Sequence, residues 1–162
     1  MYYASILGVP LGTFYKRRDY TTVVNGRNPI VAHEFLGDSV EGMDILIVDD
    51  MISSGDSMID IAREMKDRGA RKVFCAVTFG LFTEGIDNFN KAYEEGIINK
   101  VFATNLIYRR PELLEAPWFA DVNLCKFVAL LIDAINHDAS LSSLINPTEK
   151  IKRLLKEKEG IG

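Results

Sequence analysis

DILIVDDMISSGDSMIDIAREMKDRGARKVFCAVTF, residues Asp44 to Phe79, decides how this chain folds. It opens on an apolar run, Ile45-Leu46-Ile47-Val48, which predicts a strand over Asp44 to Asp49. Two carboxylates and a small, hydroxyl-rich turn follow. Beyond the turn, Met58, Ile61, Ala62 and Met65 recur at the i, i+3, i+4, i+7 spacing of one helix face. Asp60, Arg63, Glu64 and Asp67 fall off that stripe, so an amphipathic helix is predicted over 57–68. Gly69 closes it. Val73 to Phe79 is a continuous apolar run of strand length, as expected of a parallel strand covered on both faces. Strand, helix and strand make one βαβ unit, for which the chain's handedness dictates a right-handed crossover.

The pattern continues outward. A helix is expected over Glu84 to Glu95, with Ile86, Phe89, Ala92 and Tyr93 inward, then a strand over Lys100 to Thr104. Upstream, YYASIL reads as the end of a helix stopped by Gly8, Pro10 to Tyr15 as a short strand, and Ile30 to Phe35 as another. Between those strands, residues 16–28 (KRRDYTTVVNGRN) are polar, basic and punctuated by Gly and Asn, a long loop. Leu124 to Ile135 is apolar nearly all round and predicts a buried helix; Pro147 to Lys158 alternates charge and predicts a surface helix, with 147–162 as a C-terminal helix and tail. The sum is a single α/β domain over 1–162, a mostly parallel sheet flanked by helices.

Composition narrows the function classes. The chain has 162 residues, 48% apolar and 26% charged, which fits one globular domain. A net charge of −4 argues against a general nucleic-acid binder, whose basic face would show in the total. No apolar run approaches the roughly 18 residues of a membrane span, and Cys75 and Cys125 each sit in an apolar run as small buried hydrophobes, so a cytoplasmic setting with reduced thiols is expected. His33 lies in a strand and His137 at a helix end; neither is expected to be a ligand, and no protein-built metal site is expected.

Ligands of parallel sheets bind beyond the carboxyl ends of the strands, and Val48 to Ser57 lies there. Ser53, Ser54, Gly55, Asp56 and Ser57 combine backbone N–H groups at a helix N-terminus with three hydroxyls, a set suited to phosphate. Asp49 and Asp50 can accept hydrogen bonds from vicinal hydroxyls or from the waters of Mg²⁺. Carboxylates for hydroxyls beside amides for phosphate describe a sugar phosphate. The same residue types also serve as plain N-caps, and the charge of Asp56 opposes an anion unless it points away or binds a metal.

VDDMISSGDS, with two acids, a spacer and a small Gly-containing turn, resembles the ribose-phosphate loop of the type I phosphoribosyltransferase fold. More narrowly, the chain is similar to the C-terminal portion of the ribose-phosphate pyrophosphokinase family. YYASILGVPLGTFYKRR resembles the helix and strand leading into that family's catalytic flexible loop, here 16–28, with its Lys-x-Arg pair at Lys16 and Arg18. VTFGLFTEG and FVALLIDAINHDASLSSLI resemble later family segments. The family pattern has Asp where Ser53 stands, Thr at Ser54 and Ser57, Gly at Asp56 and His at Phe79.

The resemblance implies transfer of diphosphate from ATP to ribose 5-phosphate, with Mg²⁺ accompanying the ATP. Asp49 and Asp50 would meet the ribose hydroxyls, Ser53 to Ser57 would cradle the 5-phosphate, and Lys16 and Arg18 would close over the ATP phosphates. It also implies an N-terminal domain with no counterpart here, inactivity of this part alone, and homo-oligomers. Two alternatives are a non-catalytic synthetase-associated subunit and a stand-alone phosphoribosyltransferase.

Overall fold

The computed structural model describes residues 2–18 and 30–159, with side chains described for 2–15 and 35–157. In chain order the elements are α1 (Tyr2–Leu7), β1 (Thr13–Arg18), β2 (Ile30–Leu36), β3 (Asp44–Ile52), α2 (Asp56–Asp67), β4 (Lys72–Gly80), α3 (Asp87–Glu94), β5 (Lys100–Thr104), α4 (Pro111–Glu115), β6 (Phe119–Val122), α5 (Cys125–Asn136), α6 (Ser142–Ile145) and α7 (Thr148–Glu159). β1 pairs with β2, and β3-β4-β5-β6 form a second, fully parallel sheet. The expected α/β architecture is therefore present.

The described residues group into two compact units, one holding α1, α5, α6 and α7, the other holding the four-stranded sheet with α2, α3 and α4. In the sheet unit, α2 lays Met58, Ile59, Ala62 and Met65 toward the core. On the strands, Val73, Cys75, Val77, Val101, Ala103 and Phe119 are buried. β4 alternates between buried Val73, Cys75, Val77 and less buried Phe74 and Ala76. One face of β4 is thus covered, not both as its unbroken apolar run suggests. β3 is the end strand of its sheet among the described residues, and its Leu46 and Val48 are more than half exposed.

An aromatic cluster forms part of this core. Phe89 of α3 stacks on Trp118 at 5.2 Å between ring centroids, Phe82 meets Phe89 edge-on at 5.1 Å, and Phe119 completes the group. The Trp118 indole N–H donates to Asn90 Oδ1 at 2.7 Å, so the ring is buried without stranding its polar atom. Arg71 donates twice to Asp44, Nε to Oδ1 at 2.7 Å and a terminal nitrogen to Oδ2 at 2.9 Å, tying the start of β3 to the start of β4. That guanidinium holds the Asp44 carboxyl below its ordinary range.

In the other unit, α1 packs against α7, and the Tyr2 hydroxyl lies 3.0 Å from Thr148 Oγ1. Here α5 departs from expectation. Its only buried residue is Ala134, while Phe127, Leu130, Ile132 and Ile135 are exposed. Cys125, at its first position, is likewise exposed rather than buried. Short elements were also invisible in the sequence, namely α4, β6 and α6, each of five residues or fewer and too short to show a period.

Candidate functional site

β3 runs three residues past its expected end, so Asp49 and Asp50 are the last acids of a strand that stops at Ile52. Parallel pairing with β4 continues through Met51 opposite Phe79 and Ile52 opposite Gly80, which holds both carboxylates at the strand's carboxyl end. Both are exposed. The Asp50 N–H donates to Asp49 Oδ1 at 2.9 Å, which turns one oxygen of Asp49 back on the main chain and leaves the second carboxylate oxygen to other donors.

The turn is fixed from two sides. Leu81 N–H donates to the Ile52 carbonyl at 2.9 Å and Thr83 N–H to the Ser53 carbonyl at 3.0 Å, so the connection after β4 is stitched to the connection after β3. Gly55 then caps α2 at φ +97°, a left-handed conformation that suits glycine. A Cβ on Gly55 would overlap Cε2 of Phe89, so the loop backbone rests directly on that ring. Met58 and Ile59 N–H both donate to the Gly55 carbonyl at 3.0 Å, which starts the helical ladder.

Asp56 opens α2 with its side chain tied down. Ser54 Oγ donates to Asp56 Oδ2 at 3.1 Å, the Asp56 N–H approaches Ser54 Oγ at 3.5 Å, and Asn88 Nδ2 approaches Asp56 Oδ1 at 3.5 Å. Beyond it, α2 and α3 bound a cavity of about 280 Å³ lined by Asp56, Ile59, Asp60, Arg63, Asn88 and Lys91. Arg63 spans to Glu95 at 2.7 Å across its rim.

Seven of the nine expected site residues, Asp49, Asp50, Ser53, Ser54, Gly55, Asp56 and Ser57, thus share one strand-to-helix connection. Lys16 and Arg18 stand at the end of β1, which continues to Arg18 where a loop was expected; their side chains and the rest of the 16–28 loop, from residue 19 on, lie outside the described residues. The sequence reading missed the supporting partners, Leu81, Thr83, Asn88 and the seat provided by Phe89. Phe89 was placed inward by its periodicity, yet nothing in that period says that it meets Gly55; Tyr93, also placed inward, is 38% exposed.

Among the described residues no group of three or more His, Cys, Asp or Glu gathers as a metal cage. Two neighbouring exposed carboxylates do fit Mg²⁺, which is held by one or two carboxylates, waters and phosphate oxygens rather than by an all-protein shell. Cys75 is a buried residue of β4 with its thiol pushed up to about 12 by burial, so it is neutral packing. No helix among the described residues is long and apolar enough to cross a membrane.

Residues 21–146 match the model of the phosphoribosyl synthetase-associated domain. A ribose-phosphate pyrophosphokinase of Vibrio cholerae is 32% identical over 111 residues, 68% of this chain and 34% of that protein. One from Mycoplasma pneumoniae is 30% identical over 142 residues, 87% of this chain and 41% of that protein. The chain therefore spans about a third to two fifths of the length of these relatives. Among solved structures, phosphoribosylpyrophosphate synthetase from Mycobacterium smegmatis aligns with a TM-score of 0.67 at 22% identity, over 85% of this chain and 41% of that one, a likeness of fold.

Proposed function

Because the chain belongs to the phosphoribosyl synthetase-associated domain family, we propose that it supplies the ribose 5-phosphate site of a ribose-phosphate diphosphokinase, the enzyme that moves diphosphate from ATP to ribose 5-phosphate. The observation that carries this is the union, in one connection, of two exposed carboxylates at a strand end with a left-handed glycine turn at a helix N-terminus. Asp49 and Asp50 accept hydrogen bonds from the ribose hydroxyls. The main chain and hydroxyls of 53–57 hold the phosphate, aided by the positive end of α2.

Diphosphoryl transfer is limited by charge on the migrating group and its leaving oxygen, so catalysis rests on placing cations there and excluding water. Lys16 supplies a mobile point charge and Arg18 a planar fork for two oxygens, both from the end of β1. Asp49 and Asp50 would hold the waters of Mg²⁺, which when bound would supply positive charge to the ATP phosphates.

The activity belongs to a longer or multi-chain assembly, working in the cytoplasm, in which further polypeptide covers α5 and binds ATP. Two features support this: relatives more than twice as long, and an apolar helix whose Phe127, Leu130, Ile132 and Ile135 are exposed. Homo-oligomers are the form in which we expect that assembly. A second reading, a non-catalytic subunit of such an enzyme, draws on the internal hydrogen bond between Ser54 and Asp56.

An assay of the full-length gene product for ATP- and Mg²⁺-dependent formation of the 1-diphosphate separates the two. The diphosphokinase reading expects turnover that falls at least about a hundredfold in Lys16→Ala, in line with loss of a transition-state charge contact. Absence of product in the wild type would select the non-catalytic subunit.

A further inference from the structure

Asp56 is the one residue of the 53–57 turn whose charge opposes an anion, and its hydrogen bonds show what it does there. A serine hydroxyl has a single hydrogen to give. Ser54 gives it to Asp56 Oδ2 at 3.1 Å, while the Asp56 amide turns toward Ser54 Oγ at 3.5 Å. Two donors that a bound phosphate would use are thereby engaged within the turn, the hydroxyl by the Asp56 carboxylate and the amide by the Ser54 hydroxyl oxygen. Asn88, on α3, approaches the other carboxylate oxygen at 3.5 Å, a second polar contact to the same group.

We propose that Asp56 is an affinity- and specificity-determining residue of this site, an internal carboxylate that competes with the ligand's phosphate for Ser54 and selects against ligands of higher negative charge. The inference rests on the sugar-phosphate reading of residues 49–57 and adds a role for Asp56 that differs from direct binding. A phosphate entering the turn must take the Ser54 hydroxyl from a neighbour already charged, and must then sit close to that charge. Both effects weaken a dianion more than a monoanion. A carboxylate at this position also favours the helix through its dipole, so removal is expected to loosen α2 slightly while tightening the ligand. A purely structural role would move both in the same direction.

The test is calorimetric titration of the full 162-residue chain with ribose 5-phosphate and, separately, with its monoanionic methyl phosphodiester. Wild type is compared with Asp56→Asn, Asp56→Ala and the double variant Asp49→Ala/Asp50→Ala, and thermal melts check each fold. Removing the Asp56 charge is expected to tighten ribose 5-phosphate by roughly three- to tenfold, with a smaller gain for the monoanion. Unchanged or weaker binding in both Asp56 variants, with binding still lost in Asp49→Ala/Asp50→Ala, overturns this proposal alone. Equal gains for dianion and monoanion overturn the charge selection. Binding that is absent throughout, or indifferent to Asp49→Ala/Asp50→Ala, overturns the underlying site as well.

Discussion

Gly55 is where one added carbon has most to disturb. Its φ of +97° is costly for any side chain, and the space where Cβ would go is filled by the Phe89 ring. Gly55→Ala is therefore expected to destabilise the chain by about 1–3 kcal/mol, from backbone strain plus overpacking. Urea denaturation checks this; a midpoint equal to wild type would mean that the ring gives way freely. The two cysteines make a second contrast at this scale. Iodoacetamide should label exposed Cys125 in the folded chain and spare Cys75 until unfolding. Because burial raises the folded Cys75 thiol from 9.0 to about 12, its contribution to stability is whole below pH 9 and lost as pH rises through that window. Urea midpoints at about pH 8 and about pH 10.5 should separate more in wild type than in Cys75→Ala; equal separation would show that Cys75 does not carry the alkaline loss.

Among the elements, those that show a period were legible. α2 was readable because Met58, Ala62 and Met65 mark one face, and β3 and β4 because their apolar runs are bounded by charge and glycine. Burial was less so. α5 is apolar on nearly every side, and composition alone reads that as interior, whereas only Ala134 is buried. The same ambiguity hides the support of the site, since a 3.6-residue period tells that Phe89 faces inward but not that it will meet Gly55 from another element. The seven proposed site residues could be grouped from the sequence because they are consecutive or nearly so; the hydrogen bonds of Asn88 and Thr83 could not be read there, because they form only once separate segments lie side by side. Two expectations about elements follow. Trp118→Ala, which empties the centre of the aromatic cluster, should cost roughly 3–5 kcal/mol by chemical denaturation, and a loss below about 1 kcal/mol would mean that the cluster does not anchor α3. Ile132→Glu, on the exposed side of α5, should change the stability of this chain by less than about 0.5 kcal/mol yet weaken association with the remaining polypeptide of the assembly; a large loss of stability in the isolated chain would show that α5 is packed within it.

At the scale of the molecule, a parallel sheet delivers the carboxyl ends of neighbouring strands to one edge, and a glycine seated on an aromatic ring shapes the connection there into a turn. In the proposed function this turn, together with Asp49 and Asp50, holds a sugar phosphate. Amide chemical shifts read it most directly, in a ¹⁵N-labelled chain titrated with ribose 5-phosphate beside a parallel titration of Asp49→Ala/Asp50→Ala. Saturable shifts are expected at residues 49–57 and in the Leu81–Thr83 connection bonded to them, strongly reduced in the double variant. Shifts centred elsewhere, or the same response in both proteins, would contradict it.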